Sequence, residues 1–359
     1  MRKLMISLLL VLLLSITGAT FAQDVIFCGE LAPEDCDILQ ASADAMAEVS
    51  SASFDFSFDI DATDLGEGTP DLDITLGGDG AYNLDGALLD SLMGAEGEGA
   101  FTAVMGLLRG FQGDLALDLT LPEELGMEIG LPITDLSLEL LLVDGVGYLN
   151  FATLAPILGD PEALGLPAGW GGIDIAGLIE MLVESDPTMM DVFSEGFSQG
   201  FDSGMAMGNM TNIEGMSISR AADEGGNAVF VSSVDFATLI QDPTFADLVR
   251  AQMAAQGQDM SAEEFDQVIE LLGMMGEDFV IEVTSKINLE TNFQTAVGVN
   301  VQLDLASVMA MAGETAAAPM VSMTGTFNLS DHNAAPAITA PADADIAPPE
   351  MLLGMAGGF

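Results

Sequence analysis

Basic residues are almost missing from this chain of 359 residues: Lys and Arg number 6 against 57 Asp and Glu, a formal net charge of −51. Such a surface offers nothing to nucleic acid, whose phosphates need Lys and Arg, and it is repelled by anionic membranes. Histidine occurs once, at His332, and cysteine twice, at Cys28 and Cys36. One imidazole and two thiols are too few for a zinc centre. No acidic loop has EF-hand spacing, and no P-loop or dinucleotide fingerprint stands out, so no cofactor is expected. After the N-terminus no uninterrupted apolar run reaches spanning length, so the mature chain is expected to have no transmembrane segment.

The N-terminus gives the compartment. Arg2 and Lys3 precede "LMISLLLVLLL", and small residues follow in "SITGATFA". That is the layout of a secretory signal peptide spanning residues 1–22, with cleavage after Ala22. The expected location is secreted or in the cell envelope. An oxidising compartment makes Cys28 and Cys36, in "CGELAPEDC", a disulfide by default. "VIFCGE" lacks the small residues that precede a lipidated cysteine. Arg109, Arg220, Arg250 and Lys286 are the basic residues left after cleavage. The acids keep an otherwise apolar protein in solution. They would also attract a cation or a basic protein partner, and salt adaptation would produce the same excess.

What is abundant is alternation. In "ASFDFSFDIDA", Phe54, Phe56, Phe58 and Ile60 interleave with Asp55, Ser57, Asp59 and Asp61. Side chains on a strand alternate between faces, so one face is apolar and the other acidic. "DLALDLTL" repeats the pattern with Leu117 and Leu119, and "DLSLELLLVDGVGYLNF" does so with Leu138 and Leu140. Its Asp144-Gly145 pair signals a hairpin. In the C-terminal third Phe279, Ile281, Val283, Ile287 and Leu289 alternate with Val280, Glu282, Thr284, Lys286 and Asn288. After a turn at Thr291-Asn292, Phe293, Thr295, Val297, Val299, Val301 and Leu303 are expected on one face. "MVSMTGTFNLS" is a last strand. Helical spacing marks "CDILQASADAMAEVSS", "IAGLIEMLVES", "FATLIQDPTFADLVRAQMAAQ" and "SAEEFDQVIELLGMMG"; Ser261 with Glu264 forms a capping box for the last. Short turns between strands imply an antiparallel sheet, and ten or so strands must curl. The fold class is therefore α+β, a strongly curved antiparallel sheet, or half-barrel, wrapped over helices.

Catalytic signals are poor. "GFSQG" matches the nucleophile-elbow string around Ser198, with His332 as the sole candidate base. The strand before and helix after that an elbow needs are not evident, and His332 itself reads as an exposed turn residue. No enzyme is expected. Methionine numbers 23, suiting either ordinary cores or walls that adapt to apolar guests.

The order "AEVSSASFDFSFDI", "VDGVGYLNF", "GWGGIDI" and "NLSDHNAAPAITAPADA" resembles the LolA-like superfamily, in particular exported lipid-binding proteins of the LppX/LprG type. The resemblance rests on Ser51 to Ile60, Asp144-Gly145 with Tyr148, Trp170 with Asp174, and Asn333 with Ile338 and Pro341. It implies one half-barrel domain over residues 23–335, here with helical insertions near 155–212 and 235–277, and an Ala/Pro-rich tail at 336–359. It also implies an apolar cavity for a lipid or other hydrophobic small molecule. The strand faces nominate Phe54, Phe56, Phe58, Ile60, Leu117, Leu119, Leu138, Leu140, Ile281, Val283, Val297 and Val299 for its wall. Trp170 is read as a buried anchor where a strand hands over to a helix, or as a residue closing one end. The competing reading is a cell-surface or envelope interaction module with a filled core.

Overall fold

The computed structural model describes residues 27–63, 71–92, 98–123, 134–186, 188–190, 215–243, 250, 265, 269, 273, 276, 279–304 and 319–347. The proposed signal peptide, Ser198, and Ser261 with Glu264 lie outside them.

Helix α1 (Pro33–Ala47) opens with Pro33 at its first position and Glu34 and Asp35 in its first turn. Both suit a helix N-terminus: proline needs no partner there, and acids complement the dipole. A Cys28–Cys36 disulfide, Cα atoms 5.5 Å apart, ties the preceding turn to the helix.

Twelve strands then form one sheet: β1 Ser51–Thr63, β2 Leu72–Asn83, β3 Gln112–Thr120, β4 Asp135–Val143, β5 Val146–Asn150, β6 Trp170–Asp174, β7 Met216–Arg220, β8 Asn227–Asp235, β9 Phe279–Asn288, β10 Gln294–Asp304, β11 Met320–Ser330 and β12 Asp345–Ala347. The strand order is β12-β6-β5-β4-β3-β2-β1-β11-β10-β9-β8-β7. Only the β12–β6 pair is parallel. The sheet is two up-and-down meanders, β1–β6 and β7–β11, joined where β1 pairs with β11. It is curved and unclosed, within an α+β architecture.

Helices α2 (Gly86–Leu92) and α3 (Glu98–Gly110) bridge β2 and β3. Asp144 (φ 54°) and Gly145 (φ 80°) make the β4–β5 hairpin turn, as that dipeptide predicts. Helix α4 (Ile175–Ser185) begins at Asp174, whose carboxylate accepts a 2.7 Å hydrogen bond from the Gly177 N–H. The sequence Phe-Ala-Thr-Leu occurs twice, at 151–154 after β5 and at 236–239 after β8. Each copy is a helical turn capped by the preceding side chain, Asn150 or Asp235.

Two details differ from the alternation pattern. The β9–β10 register shifts between Gln294 and Ala296, so Gln294 pairs with Ile287 and Ala296 with Lys286. This bulge places Gln294, not Thr295 or Phe293, on the face of Val297. Leu289 lies past the end of β9 in the turn and is 41% exposed. After β11, residues 331–344, which include the start of the Ala/Pro-rich tail, cross the outer face of the sheet and lead into β12 against β6. Ile338 is buried with Ala81, Val143 and Tyr148.

Candidate functional site

Directly paired residues of neighbouring strands share a face. The registers can therefore be read across the sheet. Phe56 pairs with Gly78, Gly78 with Leu117, and Leu117 with Leu138. In the other direction Phe56 pairs with Phe327, Phe327 with Val297, and Val297 with Ser285. The next row runs Leu119, Leu76, Phe58, Gly325, Val299, Val283. Ile60 pairs with Met323, which leads through Val301 to Ile281. Phe54 leads through Gly80 and Leu115 to Leu140. The twelve predicted wall residues from the strands thus share one face, termed inner here.

Trp170 does not join them. It pairs with Asn150, whereas Leu149, which pairs with Leu140, faces inward. The one-residue offset puts Trp170 on the outer face, packed against the Ala81, Val143, Tyr148 and Ile338 cluster. It lies on the face opposite the twelve nominated wall residues.

Burial along the inner face is uneven. At the β8–β10 flank, Phe279, Ile281, Val299, Val301 and Leu303 are buried beneath Phe236, Leu239 and Ile240. Phe236 meets Phe279 edge-on, ring centroids 4.7 Å apart. Phe265, Ile269, Gly273 and Gly276 are helical; Phe265 is buried and Ile269 packs on this cluster. Beyond it, α1 sets Ile38 and Leu39 against Ala228, Phe230 and Ile287. At the other flank Phe151 lies over Gly171 and Ile175 over Gly147. Between the flanks, Phe54, Phe56, Phe58, Ile60, Leu117, Leu119, Leu138 and Leu140 are only half-buried.

This central floor is aromatic. The rings of Phe54 and Phe327 stack with centroids 5.6 Å apart and planes 16° from parallel. Phe56 and Phe327 lie 6.4 Å apart at 18°, and Phe56 and Phe58 5.9 Å apart at 48°. Each ring of β1 reaches the space above a glycine: Phe54 at Gly80, Phe56 at Gly78, Phe58 at Gly325. A Cβ at Gly78 would sit 2.9 Å from the Phe56 ring and 2.3 Å from the Ala116 carbonyl oxygen, so β2 must have glycine where β3 bends in close. Phe327 and these glycines are not in the predicted set. Their sequence signal is glycine inside otherwise strong strands, "LGGDG" and "MTGTF", which marks close approach.

Charge is excluded from the centre. On the inner rows of β1–β4 and β11 the only ionisable side chain is Tyr82, and burial raises its phenol pKa, keeping it neutral. The acids face outward, where Asp55 pairs with Asp79 and Asp61 with Asp73. Part of that charge is held by neutral donors: Thr75 donates to Asp59 at 3.0 Å and Asn328 to Asp55 at 2.8 Å. Arg109 pairs with Glu180, Arg220 with Asp35 and Asp223, and Lys286 with Glu224. Arg250 lies over the Phe265 ring. Among the described residues no group of three His, Cys, Asp or Glu is placed to hold a metal.

His332 lies in a turn, as expected, but is half-buried rather than exposed. Its ring stacks on Phe293 at 4.5 Å and 9°. Burial lowers its pKa, with the Gln294 backbone and Asp331 pushing the other way. Next to it Asn333 (φ 58°) accepts hydrogen bonds from Ser50 N–H at 2.7 Å and Ser50 Oγ at 3.0 Å, pinning the end of β11 to the start of β1.

No protein-family model matches the chain, and no curated protein matches it.

Proposed function

We propose that this is an exported, non-enzymatic binding protein of LolA-like, LppX/LprG-type architecture that holds a lipid or similar hydrophobic molecule against the inner face of its sheet. The reading is carried by one observation: the centre of that face is continuous, apolar and half-buried, while its β8–β10 flank is buried by the protein's own helical turn at 236–239. An interaction module with a filled core would bury the middle of its sheet at least as well as the margins. Binding needs no reactive group. Each methylene moved out of water contributes about 0.8 kcal/mol, so a long chain is retained by burial alone. The uncharged rows match this, and the outward acids keep the loaded protein soluble. No helix among the described residues is long and apolar enough to cross a membrane. The test is the intact mass of the purified protein before and after organic extraction, in the native chain and in Leu117→Gln.

A further inference from the structure

The three phenylalanines of β1 share one packing pattern. Each has a glycine as its directly paired residue on one side and a large apolar residue on the other. Phe54 sits between Gly80 and Leu329, Phe56 between Gly78 and Phe327, and Phe58 between Gly325 and Leu76. In every case the ring reaches toward the glycine, and its atoms crowd the place where a Cβ would stand. Side chains on a strand ordinarily stand off the sheet. A ring received over the neighbouring strand takes up less of the inner space than one standing off it. Resting on the reading above that the inner face binds a hydrophobic molecule, we propose that Gly325 is a positioning residue of that site: by receiving the Phe58 ring it keeps the ring out of the inner space and so sets how broad a hydrophobe the face admits.

Gly325 differs from the other two glycines in what it answers to. A Cβ at Gly78 or Gly80 would strike a backbone carbonyl, that of Ala116 or Asp114, so strand packing alone demands glycine there. At Gly325 the first atoms a Cβ would meet are Cδ1, Cε1 and Cγ of Phe58, the last at 3.3 Å, and no backbone atom lies nearer. Its φ is not positive either. The Phe58 ring is therefore what requires glycine at this position. In Gly325→Ala the ring has Leu76 on one flank and the new methyl group on the other, and it is driven off the sheet into the inner space. A glycine that merely lets an aromatic ring cover its strand would affect sheet stability and not ligand breadth.

The test uses the full mature chain and the displacement of Nile red fluorescence by two neutral probes, hexadecanol (one chain) and dioctanoylglycerol (two chains). The native chain is expected to bind both. Gly325→Ala should weaken dioctanoylglycerol about tenfold and hexadecanol less than about twofold. Adding Phe58→Leu, which removes the ring that the methyl group displaces, should restore dioctanoylglycerol. If Gly325→Ala folds poorly, Phe58→Leu alone carries the test. It empties part of the place over Gly325 and should shift the preference about threefold toward dioctanoylglycerol. An equal effect of Gly325→Ala on both probes, no rescue by Phe58→Leu, or an unchanged preference in Phe58→Leu alone would each overturn the inference while leaving a hydrophobic-ligand protein intact. So would a native chain that binds hexadecanol and excludes dioctanoylglycerol. Displacement by neither probe would overturn the underlying reading as well.

Discussion

At the scale of single residues, the sheet depends on what small side chains permit. Gly78 is the sharpest case, because a methyl group there meets both the Phe56 ring and the Ala116 carbonyl. Gly78→Ala is expected to destabilise the protein by about 1–3 kcal/mol in urea unfolding, through overpacking rather than lost contacts. His332 acts through its charge state. Its folded pKa lies below the ordinary value of 6.5, so the folded chain resists protonation longer than the unfolded chain. The stability this confers is present above that ordinary value and is lost as pH falls through the folded one. Replacing the ring with His332→Phe keeps the stack on Phe293 and removes the titration. The melting temperature of the native chain relative to this variant should therefore drop between neutral and mildly acidic pH. A constant difference would contradict the assignment.

At the scale of elements, strands with strict alternation were readable and elements with weak local signals were not. "ASFDFSFDIDA" shows its apolar and acidic faces in the sequence itself, because period two and the hydrophobic-acidic contrast coincide. The stretch forming α2 and α3 carries Gly86, Gly99, Gly106 and Gly110, which mask its helical period; tertiary packing, visible in buried Ala103 and Met105, supplies what propensity does not. The bulge near Thr295 and the outward face of Trp170 depend on registers set by distant partners, which no local pattern encodes. β12 is three residues long and parallel to β6, so it leaves no periodic trace. The crossing tail is nonetheless a structural element. Asn83 donates to the Pro336 carbonyl at 3.2 Å, and Ile338 fills the outer cluster that includes Trp170. Ile338→Ala should cost about 2–5 kcal/mol and shift the emission of Trp170 to the red. An unchanged spectrum would mean that the tail does not cover this cluster in solution.

At the scale of the whole molecule, an apolar inner face and an acidic outer face are two consequences of one alternation. The outer face carries like-charged neighbours, Asp55 with Asp79 and Asp61 with Asp73, within a net charge of −51. Such pairs repel, and salt relieves them. Raising NaCl from about 0.01 M to about 1 M shortens the screening length from about 30 Å to about 3 Å, and the melting temperature is expected to rise. A fall would show that the few ion pairs, such as Lys286 with Glu224, outweigh the repulsion. The sequence legibly predicted which twelve strand residues share the inner face, but not how deeply each is covered, because depth is set by the turn at 236–239 and by α1. That unevenness is the basis of the functional proposal. Native mass spectrometry of the mature protein, purified without detergent, tests it most directly. The account predicts a bound mass that organic extraction removes, a folded apo protein that takes up added hydrophobe, and loss of both in Leu117→Gln. A single species at the polypeptide mass that takes up no hydrophobe would contradict it.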